Sequence, residues 1–187
     1  MRWFELGPFT VFDLETTGMS PVGDRIVEIA ALRIEVTGDT TEFHHLIQPG
    51  RRIPPGATRI HHITDEMVSG APRFQEIAHD FLALARGSTL VAHNARFDLG
   101  FLQESLSRCG LPLWEGKTLD SLLLVRKMCP GLPSYSLQNL RRVLKLDEKE
   151  DDLTAHRAND DVVWTARLLE KLLTRALREE AVPPAGS

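Results

Sequence analysis

Cysteine is scarce in this chain: Cys109 and Cys129 are the only two among 187 residues. Neither has a cysteine or histidine at zinc-site spacing, so a disulfide framework and a zinc module are both excluded. The two thiols read as small buried hydrophobes in a reducing compartment. No apolar run is long enough to cross a bilayer, and Met1-Arg-Trp-Phe-Glu5 lacks the apolar centre of a secretory signal. A cytoplasmic protein with no membrane partner is therefore expected. Basic excess is missing too. Lysine plus arginine number 22 against 26 aspartate plus glutamate, a net charge of -4. Proteins that hold nucleic acid chiefly by its backbone are usually basic. That class is disfavoured, but not one that meets a polyanion through bound metal ions.

What is present suits one domain with a sizeable core, without repeats or low-complexity tracts. We expect a single domain over residues 1–178 and a disordered tail over 179–187. Residues 9–14, 25–36 and 41–47 are β-branched, aromatic and aliphatic and read as three strands, with Gly38-Asp39 as a hairpin turn. Helical spacing follows over 72–86, starting at Pro72, then a short buried strand over 88–92 and a helix over 95–108 stopped by Gly110 and Pro112. Residues 118–120 form a last strand, and 121–128, 136–144 and 158–178 are helical. Three antiparallel strands followed by alternating helices and strands define an α/β fold, a mixed sheet flanked by helices.

Three clusters carry chemistry. In Asp13-Leu-Glu-Thr-Thr-Gly18, Asp13 and Glu15 stand two apart on the first strand and share a face, while Phe12 and Leu14 turn to the core. Paired carboxylates raise each other's pKa unless a cation sits between them, and their oxygens are the ligands magnesium and manganese take. Alone, the pair also fits an exposed acidic strand end. Gly18 reads as a turn residue with positive φ. In Val91-Ala-His-Asn-Ala-Arg-Phe-Asp98, Asn94 is placed to cap the helix and Asp98 lies in its first turn, where the dipole favours an anion. Phe101 and Leu102 set Asp98 at the border of the buried face, where a carboxylate needs a cation or a donor. An ordinary helix-start acid fits as well. In His156-Arg-Ala-Asn-Asp-Asp161, five residues on one helix would turn through roughly 140° net. His156 and Asp161 converge only if His156 sits in the loop or cap before the helix, as Thr154 at the cap suggests. Asp161, Thr165, Leu168 and Leu172 then run beside a core stripe of Val162, Ala166, Leu169 and Leu173. By itself His156 also fits a surface or core histidine.

Taken in order, the three motifs resemble the DEDDh, DnaQ-like 3′→5′ exonucleases of the ribonuclease H-like fold, over about residues 9–173. The first two are most similar to the proofreading exonucleases of bacterial DNA polymerase III. The resemblance implies hydrolysis of single-stranded DNA 3′ ends to nucleoside 5′-monophosphates, with two divalent cations, Mg2+ or Mn2+. Asp13, Glu15, Asp98 and Asp161 would hold them: one ion on Asp13, Glu15 and Asp161, the other on Asp13 with Asp98 directly or through water. Two such ions can clamp the attacking and leaving oxygens of an in-line displacement. His156 would be the general base, a role its ordinary pKa of about 6.5 suits. Thr16 would meet the terminal 3′-OH. In Ile60-His61-His62-Ile63-Thr64, Ile60 would wedge the bases and His61 meet the end nucleotide, with His62 standing where the family has glycine. Phe97 is assigned to core packing. His44 and His45 alternate along a strand, cannot form a paired metal site, and are taken as structural. Arg51-Arg52 and Arg141-Arg142 read as solvated faces, with DNA phosphates as the alternative contact.

Two other readings compete. An exoribonuclease of the same fold is disfavoured by Glu15-Thr-Thr-Gly18, since oligoribonucleases usually carry Glu-Met-Thr-Gly. A subunit working through a DNA polymerase or sliding clamp is disfavoured by the short span after the last helix, so a free-standing enzyme is expected.

Overall fold

The computed structural model describes residues 1–147 and 160–180. A 3-10 turn at Trp3–Leu6 leads into β1 (Phe9–Thr16), β2 (Ile26–Ile34) and β3 (Thr40–Leu46). Two short helices, α1 (Pro55–His61) and α2 (Asp65–Val68), precede α3 (Phe74–Ala85), β4 (Thr89–Ala92) and α4 (Ala95–Arg108). Then come β5 (Thr118–Asp120), α5 (Ser121–Met128), α6 (Leu137–Val143) and α7 (Asp160–Glu180). The expected residues 148–159, His156 and Thr154 among them, and the expected tail beyond 180 lie outside the described residues. Among the described residues no helix is long and apolar enough to cross a membrane.

One mixed sheet, ordered β3-β2-β1-β4-β5, organises everything else. β1, β2 and β3 form an antiparallel meander, and its second turn closes at Gly38, with φ +90°, where Glu35 N–H donates to Asp39 O. β4 and β5 add in parallel on the other side of β1. Alternation along β1 splits the core in two. Phe12 and Leu14 pack with Phe81, Phe101 and Leu102 of α3 and α4. Phe9 and Val11 pack on the opposite face with Val162, Ala166 and Leu169 of α7. The second stripe of α7, Leu168 and Leu172, closes a satellite core against Val125 and Leu140. Both α7 stripes lie as their spacing predicts.

Several local expectations change. The helix expected from Pro72 begins at Phe74, because the Glu76 carboxylate accepts from the Arg73 N–H and fixes the start there. Asn94 does not cap α4 with its side chain: its backbone is left-handed, at φ +73°. The Asp120 carboxylate accepts from the Asn94 and Ala95 N–H groups instead, at 3.2 and 3.1 Å. Gly18 is not at positive φ; a side chain there would collide with the Asp24 carboxylate, so close approach is the reason for glycine. The cysteines are free but only partly buried.

Candidate active site

The site grows out of the place where β1 outruns its partners. β1 and β4 pair only from Phe9 to Val11, so beyond Val11 that edge of β1 is open. The first turn of α4, directly after β4, fills the gap. Asp98 Oδ1 accepts from the Leu14 N–H at 3.2 Å, and the residue is only 4% exposed. On the other face, Phe9 and Val11 are covered by α7, and the next two side chains on that face are Asp13 and Glu15. They emerge beside the start of α7, which carries Asp161. One carboxylate oxygen from each of Asp13, Glu15 and Asp161 lies within 4.8 Å of the other two. Crevices at the carboxyl ends of strands where the order reverses are the usual ligand sites of such sheets.

Electrostatics follows from that crowding. Burial raises the Asp13 pKa well above the usual carboxylate range, and the charges of Asp98, Asp161, Glu15 and Glu28 push it further. Glu15 is raised to about 7 by burial, then by Glu28 and Asp161. Asp98 also reaches about 7: burial outweighs the Leu14 N–H and its own helix-start amide, which favour the anion. Asp161 is raised by burial and by Asp160, against an opposing pull from His93. Four acids resist ionisation together, and a multivalent cation shared by the same oxygens removes the conflict. The donor set is all carboxylate, with no thiolate or imidazole in the three-residue cluster, which fits Mg2+ or Mn2+.

Asp13, Glu15 and Asp161 are thus brought together, with Asp98 buried beside them; His156 falls outside the described residues. The Thr16 hydroxyl donates to Gly18 O at 2.6 Å, which leaves its oxygen able to accept. Ile60 is 78% exposed on α1, and His61 Nδ1 accepts from the Ile63 N–H at 3.0 Å. His62 takes the left-handed conformation that ends α1, φ +61°, so the histidine keeps the backbone a glycine would favour. Phe97 packs on Phe101, with ring centroids 5.0 Å apart.

Some contributors escaped the sequence reading. Glu28 pairs with Glu15 across β1 and β2, hence on the same face, and its Oε1 meets His44 Nε2 at 2.7 Å. The signal was register: Glu28 and His44 belong to different strands, and only their pairing joins them. His93 Nδ1 meets Ser121 Oγ at 2.9 Å, and its Nε2 donates to Tyr135 O at 2.8 Å, since a carbonyl can only accept. Burial lowers its pKa, and it stands close enough to Asp161 for each to shift the other. Of the arginine pairs, Arg51 donates to Gly23 O, whereas Arg141 pairs with Asp147 at 2.7 Å and covers the Trp164 ring.

A carboxylate cluster of this kind on a mixed sheet of this order defines a metal-dependent nuclease of the ribonuclease H-like type. The chain belongs to the exonuclease family, in its DEDDh, DnaQ-like group: the RNase T family model, described as Exonuclease, matches residues 10–169. It is 41% identical over 175 residues to the DNA polymerase III subunit epsilon of Treponema pallidum (strain Nichols), covering 92% of this chain and 78% of that one. It is 36% identical over 169 residues to the PolC-type DNA polymerase III of Caldanaerobacter subterraneus, but spans only 12% of that protein. Among solved structures, exonuclease X in complex with 5′ overhanging duplex DNA superposes with a TM-score of 0.66 at 33% identity, covering 90% of this chain and 92% of that one. E. coli exonuclease I with an oligonucleotide shares the fold, with a TM-score of 0.75 at 22% identity over 91% of this chain and 41% of that one. The protein is a metal-dependent 3′→5′ exonuclease.

Proposed function

We propose that this enzyme is a cytoplasmic exodeoxyribonuclease that trims single-stranded DNA from the 3′ end and releases nucleoside 5′-monophosphates. The observation that carries the reading is the convergence of Asp13, Glu15 and Asp161 within 4.8 Å, with Asp98 buried on the adjacent edge of β1. DNA as the substrate is supported by the relatives, one named as a DNA polymerase III subunit epsilon and one as a PolC-type DNA polymerase III, and by exonuclease X, which was solved with 5′ overhanging duplex DNA.

In this mechanism Asp13, Glu15, Asp98 and Asp161 would hold two divalent cations, Mg2+ or Mn2+. Bound as a pair, the cations lower the pKa of a water and offset charge on the departing oxygen. Asp13, on which the charges of Asp98, Asp161 and Glu15 all act, would be the carboxylate that serves both ions. Asp98 is kept in position by the Leu14 amide, so its oxygen cannot swing away with the helix. His156 takes the proton of the attacking water at a ring nitrogen. Thr16 offers its hydroxyl oxygen to the terminal 3′-OH. Ile60 separates the last bases, and His61 contacts the end nucleotide.

The first test is Asp13→Ala with labelled single-stranded DNA and added manganese. Activity falls by at least about 10³-fold, since a ligand shared by both ions is gone, while circular dichroism is unchanged. Mutant activity equal to wild type would refute the site. Matched RNA oligonucleotides run alongside decide the sugar preference; faster RNA hydrolysis would replace DNA as the substrate. A second reading, action alongside a DNA polymerase, is favoured by the 78% coverage of the epsilon subunit. Co-elution with a polymerase or sliding clamp tests it.

A further inference from the structure

On the face of the sheet opposite the carboxylates, between the ends of β2 and β3 and helices α3 and α4, lies a cavity of about 180 Å3. Arg25, Arg73, Arg108, Gln48, Gln75 and Ser105 wall it. Its polar groups are nearly all donors. Arg108 holds the carbonyl oxygens of Pro21, Val22 and Asp24 and sits 3.2 Å from Glu104. Arg25 reaches the same loop through Nη1 alone, 2.7 Å from Asp24 O, so its other N–H groups have no partner among the described residues. The Arg73 guanidinium has none either; only its backbone N–H is engaged, by Glu76. The oxygen of the Gln48 amide is taken by the Gly50 N–H at 3.2 Å, which leaves its NH2 to donate.

Two further observations single the place out. Ser105, which lines the cavity, is only 6% exposed and brings a hydroxyl into an otherwise cationic wall. Gln75 lies in the first turn of α3, a twelve-residue helix in which the Glu76 N–H is met by the Arg73 carbonyl while those of Phe74 and Gln75 have no acceptor among the described residues. The carboxylates in the neighbourhood are already engaged: Glu104 on Arg108, Glu76 on the Arg73 amide, and Asp24 on Thr17 and Ser20. Burial, then the like charge of Arg25, hold the Arg108 pKa below its ordinary value against the pull of Glu104. In a chain of net charge -4 such a pocket is anomalous unless an anion completes it. Guanidinium forks, an amide NH2 and a hydroxyl fit the oxygens of a phosphate. The volume is below the roughly 300–1,000 Å3 that encloses a whole small-molecule ligand, so it suits a phosphate group and not a complete nucleotide.

We propose that this cavity is a phosphate-binding subsite, filled either by a backbone phosphate of a nucleic-acid strand or by free inorganic phosphate. Assigning the phosphate to a strand rests on the exonuclease reading; the cavity itself does not. The loop between β1 and β2 joins the two places: Gly18 accepts from Thr16 at its start, and the arginines grip it from Pro21 to Asp24.

The test is equilibrium binding of a labelled single-stranded 12-mer in EDTA, where no hydrolysis occurs, across roughly 50–200 mM salt. Losing one phosphate contact in Arg73→Gln flattens the slope of log K against log salt by about 0.7 and weakens binding about fivefold at 0.1 M. Arg73→Lys retains the wild-type slope. Gln75→Glu repeats the loss while strengthening the start of α3, so poorer folding cannot mimic it. Calorimetric titration of inorganic phosphate is the second arm. If phosphate binds wild type and not Arg73→Gln while the oligonucleotide curves coincide, the free anion is the ligand. If the oligonucleotide curves coincide and wild type binds no phosphate, the subsite does not exist. Because EDTA removes the metals, failure here leaves the Asp13→Ala result untouched, and the reverse holds as well.

Discussion

Each carboxylate of the site is held where it is least comfortable as an anion, and that discomfort is measurable without substrate. Glu15 and Asp98 titrate near pH 7 in the folded metal-free protein but from ordinary values of 4.5 and 3.8 once unfolded. Between those limits the native state binds more protons, so its stability falls as pH rises from about 4 to 7. Below the lower limit the contribution is fully present; above pH 7 it is gone. Thermal melts in EDTA should therefore show the midpoint dropping across about pH 4–7, with added Mn2+ restoring much of the loss at the neutral end. Asp13→Asn removes the most crowded of these charges. It should raise the metal-free melting temperature at pH 7.5 by roughly a few degrees, while abolishing hydrolysis. A mutant that melts lower than wild type in EDTA would mean that Asp13 is satisfied by the protein and awaits no cation. These residues were legible in the sequence because two-residue spacing on a strand and a helix's first turn set side-chain direction locally. Glu28 and His44 were not, since β2 and β3 join them only through register.

The helices show where local reading stops. Residues 95–108, 118–120 and 121–128 match the expected elements, yet the contact that locks α4 and α5 together is non-local. Asp120 caps α5 through the N–H groups of Leu122 and Leu123 and reaches back 25 residues to the Ala95 N–H. Asn94 carried the capping signal, but its left-handed backbone took that role away. Asp120→Ala should destabilise the protein by about 2–3 kcal/mol, the loss of caps on two helices. Because α4 carries Asp98, Mn2+ affinity should fall with it; unchanged affinity in calorimetry would show that Asp98 is placed by the core alone. α1 and α2 were missed for a different reason: at seven and four residues they are too short to display a period. The left-handed residue ending α1 offers its own check. His62→Gly should stabilise the fold by up to about 1 kcal/mol, read as a higher denaturation midpoint. No gain would mean that the His62 side chain offsets its backbone strain.

At the scale of the whole molecule, the site depends on α7 lying flat against the sheet. What seats it includes a segment that read as mere absence of a signal peptide. Trp3 and Phe4 are buried with Phe9 against α7; the Trp3 ring stacks on Phe9 at 6.1 Å, and its Nε1 donates to Glu170 Oε1 at 3.2 Å. Nothing in the local pattern announces this, because the partner lies 167 residues away. Asp161 and Glu170 sit on the same helix, so the N-terminal anchor bears on the metal cluster with no contact to it. Trp3→Ala should cost about 3–5 kcal/mol through the void left in the core. If α7 moves as a rigid element, Mn2+ binding should weaken in step, and Trp3→Phe should recover most of both losses. Titrating Mn2+ well below the melting temperature separates the cases. A lowered midpoint with undiminished metal affinity would show that the first turn of α7 is held by Val162 and Ala166 alone, and that the anchor serves stability without serving the site.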